Sequence, residues 1–393
     1  MVETPGLDRD ELCDAAVADT GLDDFGNPSF GDGLDRLLDG LHNEARLNDG
    51  GRAFAPNILQ QYLVSRLQVV DWHRRYPEIA KSDVVAPVVL IGMGRTGTTI
   101  LHDLLGQDPD NRLPRTWEVD RPSPPPATET YDNDPRIDEV QAGIDLVHSV
   151  RPELRAMHPM GARLGQECVR ITGSDFASVI FGSQYRLPSY LRWVTTEADM
   201  VPTYRWHRAF LQLLQWRHPG RWMLKSGAHL WALPALLAEY PDAVIVQTHR
   251  DPLRIVASLS SLFASIRSTS SDEVSMADTA AEWAPMIADA LDRSVDARLD
   301  GSIPSDRVLD VSFSDYMRDP IGVVRSIYEH VGRELKPDVA ERIQAFLAEN
   351  PRGKYGRHHY SFDDTGLDGA ELVERTARYC EYFDVERAED VLR

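Results

Sequence analysis

Cysteine is scarce in this chain, long apolar runs are missing, and basic residues are outnumbered. Three cysteines in 393 residues, Cys13, Cys168 and Cys380, lie far apart. Neither a disulfide framework nor a CxxC ligand pair can be written, and a reducing, cytoplasmic setting is expected. No stretch approaches the roughly 18 consecutive apolar residues of a membrane-spanning helix, and the N-terminus is acidic where a secretory leader would be apolar. Basic residues number 42 against 62 acidic ones, a net charge of −20. A polyanion would meet a field of its own sign, so nucleic acid is not expected as the main partner; a local basic pocket is compatible with that average.

What is present suits a globular protein: 42% hydrophobic and 26% charged residues, enough for one large core or two moderate ones. Residues 1–50 hold 13 acidic and 3 basic side chains, half of the net charge, which reads as a solvated helical face. Leu34, Leu37, Leu38 and Leu41 recur at helical spacing, as do Ile58, Leu59, Tyr62, Leu63 and Leu67. Residues 1–80 are therefore expected to form a helical preamble packed on a domain of residues 81–393. From Val84 to Ile91 the period gives way to a continuous apolar run, the pattern of a strand buried on both faces. Arg221–Leu224, Ala243–Thr248 and Val308–Val311 read the same way, with a helix at Thr98–Leu105 and a long one around Trp283. Strands alternating with helices require crossovers and predict a parallel sheet, so the fold class is α/β. The proline-rich stretch 121–136 is expected to be irregular. Residues 137–217 read as a helical insertion whose rings, among them Phe176, Tyr190, Tyr204 and Trp206, either fill the core or wall an apolar pocket for an organic substrate.

The first chemical signal is Gly92-Met93-Gly94-Arg95-Thr96-Gly97-Thr98-Thr99. It follows a buried strand and opens a helix, so backbone N–H groups can converge on an anion. Its glycine spacing matches a Walker A loop, yet Thr98 stands where the phosphate-reaching lysine belongs and no strand ends in an obvious acidic magnesium ligand. An NTPase or P-loop kinase is therefore disfavoured.

The loop resembles the 5′-phosphosulfate loop of sulfotransferases that use 3′-phosphoadenylyl sulfate (PAPS), a PKSGTT-type sequence, with Arg95 where many members have lysine. Four further segments follow in the family's order. Lys225-Ser226-Gly227-Ala228-His229-Leu230 is similar to the KTHLP-type segment that supplies a catalytic histidine, with one more residue before His229 and no following proline. Arg250, after the third apolar run, and Ser258, eight residues later, stand at the separation of the pair that binds the 3′-phosphate. Val311-Ser312-Phe313-Ser314-Asp315-Tyr316-Met317 resembles the YEDM-type segment, with Phe313 where a tyrosine often lies near the adenine. Arg352-Gly353-Lys354 resembles the basic RKG-type loop that closes on the 3′-phosphate.

The resemblance implies a three-layer, P-loop-like α/β/α domain and metal-free transfer of a sulfuryl group from PAPS to a hydroxyl of a small or lipid-like acceptor, leaving adenosine 3′,5′-bisphosphate. It assigns Gly94, Arg95, Thr96, Gly97, Thr98 and Thr99 to the phosphosulfate; Arg250, Ser258, Phe313, Arg352, Gly353 and Lys354 to the rest of the nucleotide; and Arg95 or Lys225 to the leaving oxygen. For the base that takes the acceptor's proton, His229 comes first. Glu118, in Arg115-Thr116-Trp117-Glu118, comes second, because some bacterial sulfotransferases are thought to use a glutamate at a similar place. Glu167, in a segment read as an apolar helix, comes third and is more simply a satisfied buried carboxylate. A kinase-like phosphotransferase and a catalytically silent nucleotide-binding protein are the alternatives. Acceptor identity and oligomeric state stay open.

Overall fold

Five strands, β1 (Val88–Ile91), β2 (Asn111–Arg112), β3 (Arg221–Lys225), β4 (Val244–His249) and β5 (Val308–Ser312), form one sheet in the order β2-β3-β1-β4-β5, every pairing parallel. The coordinates are a computed structural model that describes residues 6–157, 159–351, 354 and 360–387. Side chains alternate across the sheet. Val89 and Ile91 join one core with Leu224 and Ile245, whereas Val88 and Leu90 join another with Met223 and Val246. Both faces are covered by helices, giving the three layers of an α/β/α domain.

The expected strands and the structure differ most at the start of β1. The apolar run begins at Val84, yet the strand begins at Val88, because Ala86 takes a positive φ of 41° and Pro87 has no N–H to give a neighbour. β2 went unread: two polar residues, Asn111 and Arg112, carry no apolar pattern. The helix Thr98–Leu105 (numbered below as α4) lies where its sequence pattern placed it.

Before the sheet come α1 (Arg9–Thr20), α2 (Phe30–Asn43) and α3 (Asp49–Arg75). Leu34, Leu37, Leu38 and Leu41 of α2 and Leu59, Leu63 and Leu67 of α3 are buried in the same cluster as Val89 and Ile245 of the sheet. Arg66 of α3 is a clamp between segments. Its guanidinium lies over Phe30 at 4.5 Å and Trp206 at 4.4 Å, pairs with buried Asp175 at 2.8 Å, and donates to the carbonyls of Phe25 and Asn27 at 2.8 Å each. A buried charge with this many partners is tolerable where an unpaired one is not.

The chain leaves β1 through α4, passes beyond β3 to form β2, returns to β3, and then crosses β1 to reach β4. That reversal beside β1 opens a crevice at the carboxyl ends of the strands, where open α/β sheets hold ligands.

Candidate active site

Four sequence segments picked out above end at that edge. After β1 the chain turns through Gly92 and Gly97, whose φ values are 131° and 93°. A Cβ on Gly92 would lie 2.3 Å from Thr248 Oγ1, and one on Gly97 3.3 Å from Tyr316. Only glycine fits such a turn between β4 and the Phe313–Arg318 helix. Thr96 pins the loop to β4 by bonding Met93 O at 2.7 Å and Thr248 Oγ1 at 2.6 Å. No side chain caps α4 at Gly97, so the first-turn amides of Thr98 and Thr99 are available to an anion.

Arg95 takes a left-handed backbone, φ 75°. Its Nε donates to Ser258 Oγ at 3.0 Å and its Nη1 to Met157 O at 2.8 Å. Arg250 Nη1 donates to the carbonyl of Arg95 at 2.6 Å, and its guanidinium lies 4.2 Å above the Phe313 ring. The structure thus gathers Arg95, Arg250, Ser258 and Phe313 around one loop. Gly94 approaches the helix Pro252–Arg267 so closely that a Cβ there would be 2.8 Å from Leu259. Arg352 and Gly353 lie outside the described residues; Lys354 is described, and its Nζ donates to Asn350 Oδ1 at 3.1 Å.

The sheet end from which Arg250 projects is braced by residues the sequence did not single out. His249 Nε2 donates to Asp310 at 2.9 Å, which leaves Nδ1 to accept from the Tyr379 hydroxyl at 2.8 Å. The ring stacks on Phe383 at 4.2 Å. Tyr379 and Phe383 sit 130 or more positions from His249, and no local pattern announces such a contact.

Lys225 ends β3, and its buried Nζ lies 3.1 Å from Thr99 Oγ1 and 3.0 Å from Glu167 Oε1. Glu167 is not inside an apolar helix: it is the N-cap residue of the helix Cys168–Gly173, and its side chain keeps 28% exposure. Its segment is held in place, since Gln166 N donates to Pro114 O at 2.7 Å and Thr116 N to Leu164 O at 3.0 Å.

His229 lies in the short helix Gly227–Trp231, where Ser226 Oγ accepts the Ala228 N–H at 3.1 Å. The residue is buried, its Nδ1 meets the Tyr204 hydroxyl at 2.6 Å, and its Nε2 has no partner among the described residues. Burial pushes the ring down to about 4, so it is neutral at pH 7. It lines a narrow cavity of about 20 Å³ with Val169, Val179, Met200 and Trp231, room for about one water.

Glu118, the second candidate for the base, sits in a buried network. Its carboxylate is fully buried and paired with buried Arg112 at 2.7 Å. The other oxygen accepts Arg115 N at 2.9 Å and the Tyr131 hydroxyl at 3.2 Å. Arg112 is sandwiched 4.7 Å from the Trp222 ring and 5.1 Å from that of Tyr131. A carboxylate sealed from solvent that accepts from three donors holds the turn Arg115–Asp120 and, through it, the segment carrying Glu167.

Among the described residues, no group of three or more His, Cys, Asp or Glu side chains could hold a metal ion, and no helix is long and apolar enough to cross a membrane.

Residues 87–337 match the model of the sulfotransferase family. The chain is 30% identical to sulfotransferase STF9 from Mycobacterium avium, with a TM-score of 0.88 over 98% of each chain. It is 32% identical to sulfotransferase STF1 from Mycobacterium tuberculosis H37Rv, with a TM-score of 0.84 over 96% of this chain and 100% of that one. Among curated proteins it is 23% identical over 317 residues, 79% of each chain, to the omega-hydroxy-beta-dihydromenaquinone-9 sulfotransferase Stf3 of Mycobacterium bovis. The family model and these two folds, matched nearly end to end, place the five-stranded sheet and its loop of uncapped amides together: the chain belongs to the sulfotransferase family.

Proposed function

We propose that this protein transfers a sulfuryl group from PAPS to a hydroxyl of a lipid-like organic acceptor. The reading rests above all on the convergence at one sheet edge of the uncapped start of α4, Arg95, Ser258 and Arg250. Two guanidinia, a hydroxyl and a row of amides suit an adenosine that carries phosphate at both its 3′ and 5′ positions. The Phe313 ring beside Arg250 offers an apolar surface for a base.

In the reaction the bond between sulfur and the bridging oxygen of PAPS breaks, a bond from the acceptor oxygen to sulfur forms, and the hydroxyl proton is taken up by the protein. Lys225, 3.1 Å from Thr99 Oγ1, neutralises the charge that gathers on the departing oxygen. Glu167, 3.0 Å from Lys225 and partly exposed, is assigned the proton, a role worth about 10²–10⁴ in rate. Loop amides and Arg95 align the group for in-line attack. The cavity beside His229, walled by Val169, Val179, Met200 and Trp231, has room for only the reacting end of an acceptor, and its apolar walls favour a nonpolar one. Its relative Stf3 is named for a hydroxylated menaquinone, which supports the same class here.

The test is direct. The purified chain is incubated with PAPS and a panel of hydroxylated isoprenoid quinones, long-chain alcohols and phenols, and sulfated product is sought by mass spectrometry in the presence of EDTA. Product formation with EDTA present, abolished in Lys225→Ala, is the expected result. Binding of adenosine 3′,5′-bisphosphate without transfer to any acceptor would leave a silent nucleotide-binding protein, and absence of nucleotide binding would end the proposal.

A further inference from the structure

We propose that His229 serves the acceptor pocket as a hydrogen-bond donor, its ring proton held on Nε2 toward the acceptor's oxygen because Tyr204 donates its hydroxyl to Nδ1. The inference rests on the transfer reaction proposed above and divides its labour: Glu167 receives the proton, and His229 gives a hydrogen bond.

A neutral imidazole has one ring proton, and its neighbours decide where that proton sits. Among the described residues, Tyr204 Oη and His229 Nδ1 are each other's only hydrogen-bond partners, at 2.6 Å. If Nδ1–H were the donor, the proton of a fully buried phenol would point at no acceptor, which folded interiors avoid. With the phenol donating, the unpaired donor of the pair is Nε2–H of His229, and both residues line the cavity. The separation is also short for an N–H donor and ordinary for an O–H donor.

No group among the described residues hydrogen-bonds His229 Nε2. His207 approaches edge-on with ring centroids 6.3 Å apart; its Nδ1 meets the Tyr240 hydroxyl at 2.7 Å, and its Nε2 is likewise without a partner among the described residues, so the two rings do not bond each other. The Cys168 thiol, pushed up to about 12 by burial, is not a thiolate. Glu167 is turned to Lys225. The hydroxyls of Ser178 and Thr172, which share the cavity, donate to Val169 O at 2.7 and 3.3 Å, and Ser226 Oγ receives the Ala228 amide; each keeps a free lone pair, yet none lies within hydrogen-bond distance of His229 Nε2. With burial holding the ring neutral, Nε2–H remains directed at whatever enters. It selects an entering atom with a lone pair, so a neutral alcohol is accepted and a protonated amine of the same skeleton is refused.

Tyr204 is then a positioning residue and His229 a residue that touches the acceptor. The experiment uses the full chain labelled with ¹⁵N-histidine, the His229 signals being identified by their loss in His229→Ala. Expected are a protonated Nε2 and an unprotonated Nδ1 from pH 5.5 to 8, and a mixed tautomer in Tyr204→Phe. A protonated Nδ1 in the native chain overturns the proposal. Kinetics supply a second arm. Glutamine places an N–H near the Nε2 position but cannot act as a base, so His229→Gln should keep kcat/KM within about 10-fold of the native value while His229→Ala loses about 10²–10³-fold. Gln as damaging as Ala would restore the general-base role and overturn the donor role. If no acceptor is ever sulfated, the transferase reading falls on its own, and the tautomer measurement still stands.

Discussion

Replacing Glu118 with alanine separates a structural carboxylate from a catalytic one. The variant leaves the Arg112 guanidinium, itself 1% exposed, without its counter-charge and strips Arg115 N and the Tyr131 hydroxyl of their acceptor. Removing one partner of a buried pair costs about 3–5 kcal/mol, because the other charge stays buried. For a chain of 393 residues, an unfolding entropy of about 2.1 cal/mol/K per residue sums to about 0.8 kcal/mol/K. The expected drop in Tm is therefore about 4–6 °C, read by calorimetry at a fixed scan rate. Well below the lowered Tm, any loss of transfer should accompany the loss of Tm, reaching about 10²-fold only if the segment carrying Glu167 moves by about 1 Å. Glu167→Gln should differ in turnover rather than in Tm: it too leaves a buried cation, Lys225, without its counter-charge, although the amide oxygen can still accept from Nζ, so Tm falls by no more than in Glu118→Ala while kcat loses at least about 100-fold. A Glu118→Ala protein with native Tm and a 100-fold slower turnover would falsify this assignment and return Glu118 to the reaction.

Adenosine 3′,5′-bisphosphate at 100 times its Kd should stabilise the protein by about 2.7 kcal/mol, about 3 °C on the same entropy scale, and Arg250→Ala should abolish the shift; a persistent shift in that variant would detach Arg250 from the nucleotide. Gly97→Ala places a Cβ 3.3 Å from Tyr316 at a φ of 93°, so differential scanning fluorimetry should find the nucleotide shift gone even where the fold survives. Burial lowers His102 and His207 to about 3 and His229 to about 4, below their unfolded value, so each takes up a proton on unfolding and stability falls as pH drops below about 6.5. Asp103, raised to about 6 by burial, opposes them by one proton, while His218, lowered to about 4 by burial, adds to them, so unfolding takes up protons on balance near pH 5 and stability drops as pH falls there. Urea melts at pH 7.5, 6.0 and 5.0 check that sign, and a flat profile refutes it.

The segments that meet at the sheet edge were legible in the sequence because each is local. A glycine turn, the amides of the helix after it, and an Arg and Ser eight residues apart at a strand-to-helix junction are each specified within a dozen positions. β4 and α4 could be read for the same reason: continuous apolar runs and a glycine boundary need no distant partner. β2 was invisible because two polar residues become a strand only by pairing Asn111 with Arg221 and Arg112 with Trp222. The burial of Glu118 was not legible because its partners, Arg112 and Tyr131, are brought to it only when the proline-rich stretch folds over them. The position of Glu167 was hidden for a related reason: helical periodicity around it suggested an interior position, whereas it stands before the helix as its N-cap, facing a lysine 58 positions away.

That division has a consequence for how specificity is built. Strand ends and the loops leaving them carry Arg95, Lys225 and Arg250, while the helical insertion carries Glu167, Tyr204 and most of the wall of the His229 cavity. Lys225 is the hinge between the two halves, since its Nζ touches Thr99 of the loop and Glu167 of the insertion at nearly equal distances. Changes of shape in the insertion, such as Val194→Ala or Met200→Ala at the cavity wall, should therefore alter which acceptors are used and their KM while leaving nucleotide affinity within about 2-fold, because they break no contact to the sheet edge. Changes at Arg95 or Arg250 should weaken the nucleotide for every acceptor alike. A cavity-wall substitution that shifted nucleotide affinity and acceptor KM together would mean that the halves are coupled through Lys225 rather than merely joined there, and Lys225→Met would then have to erase the coupling.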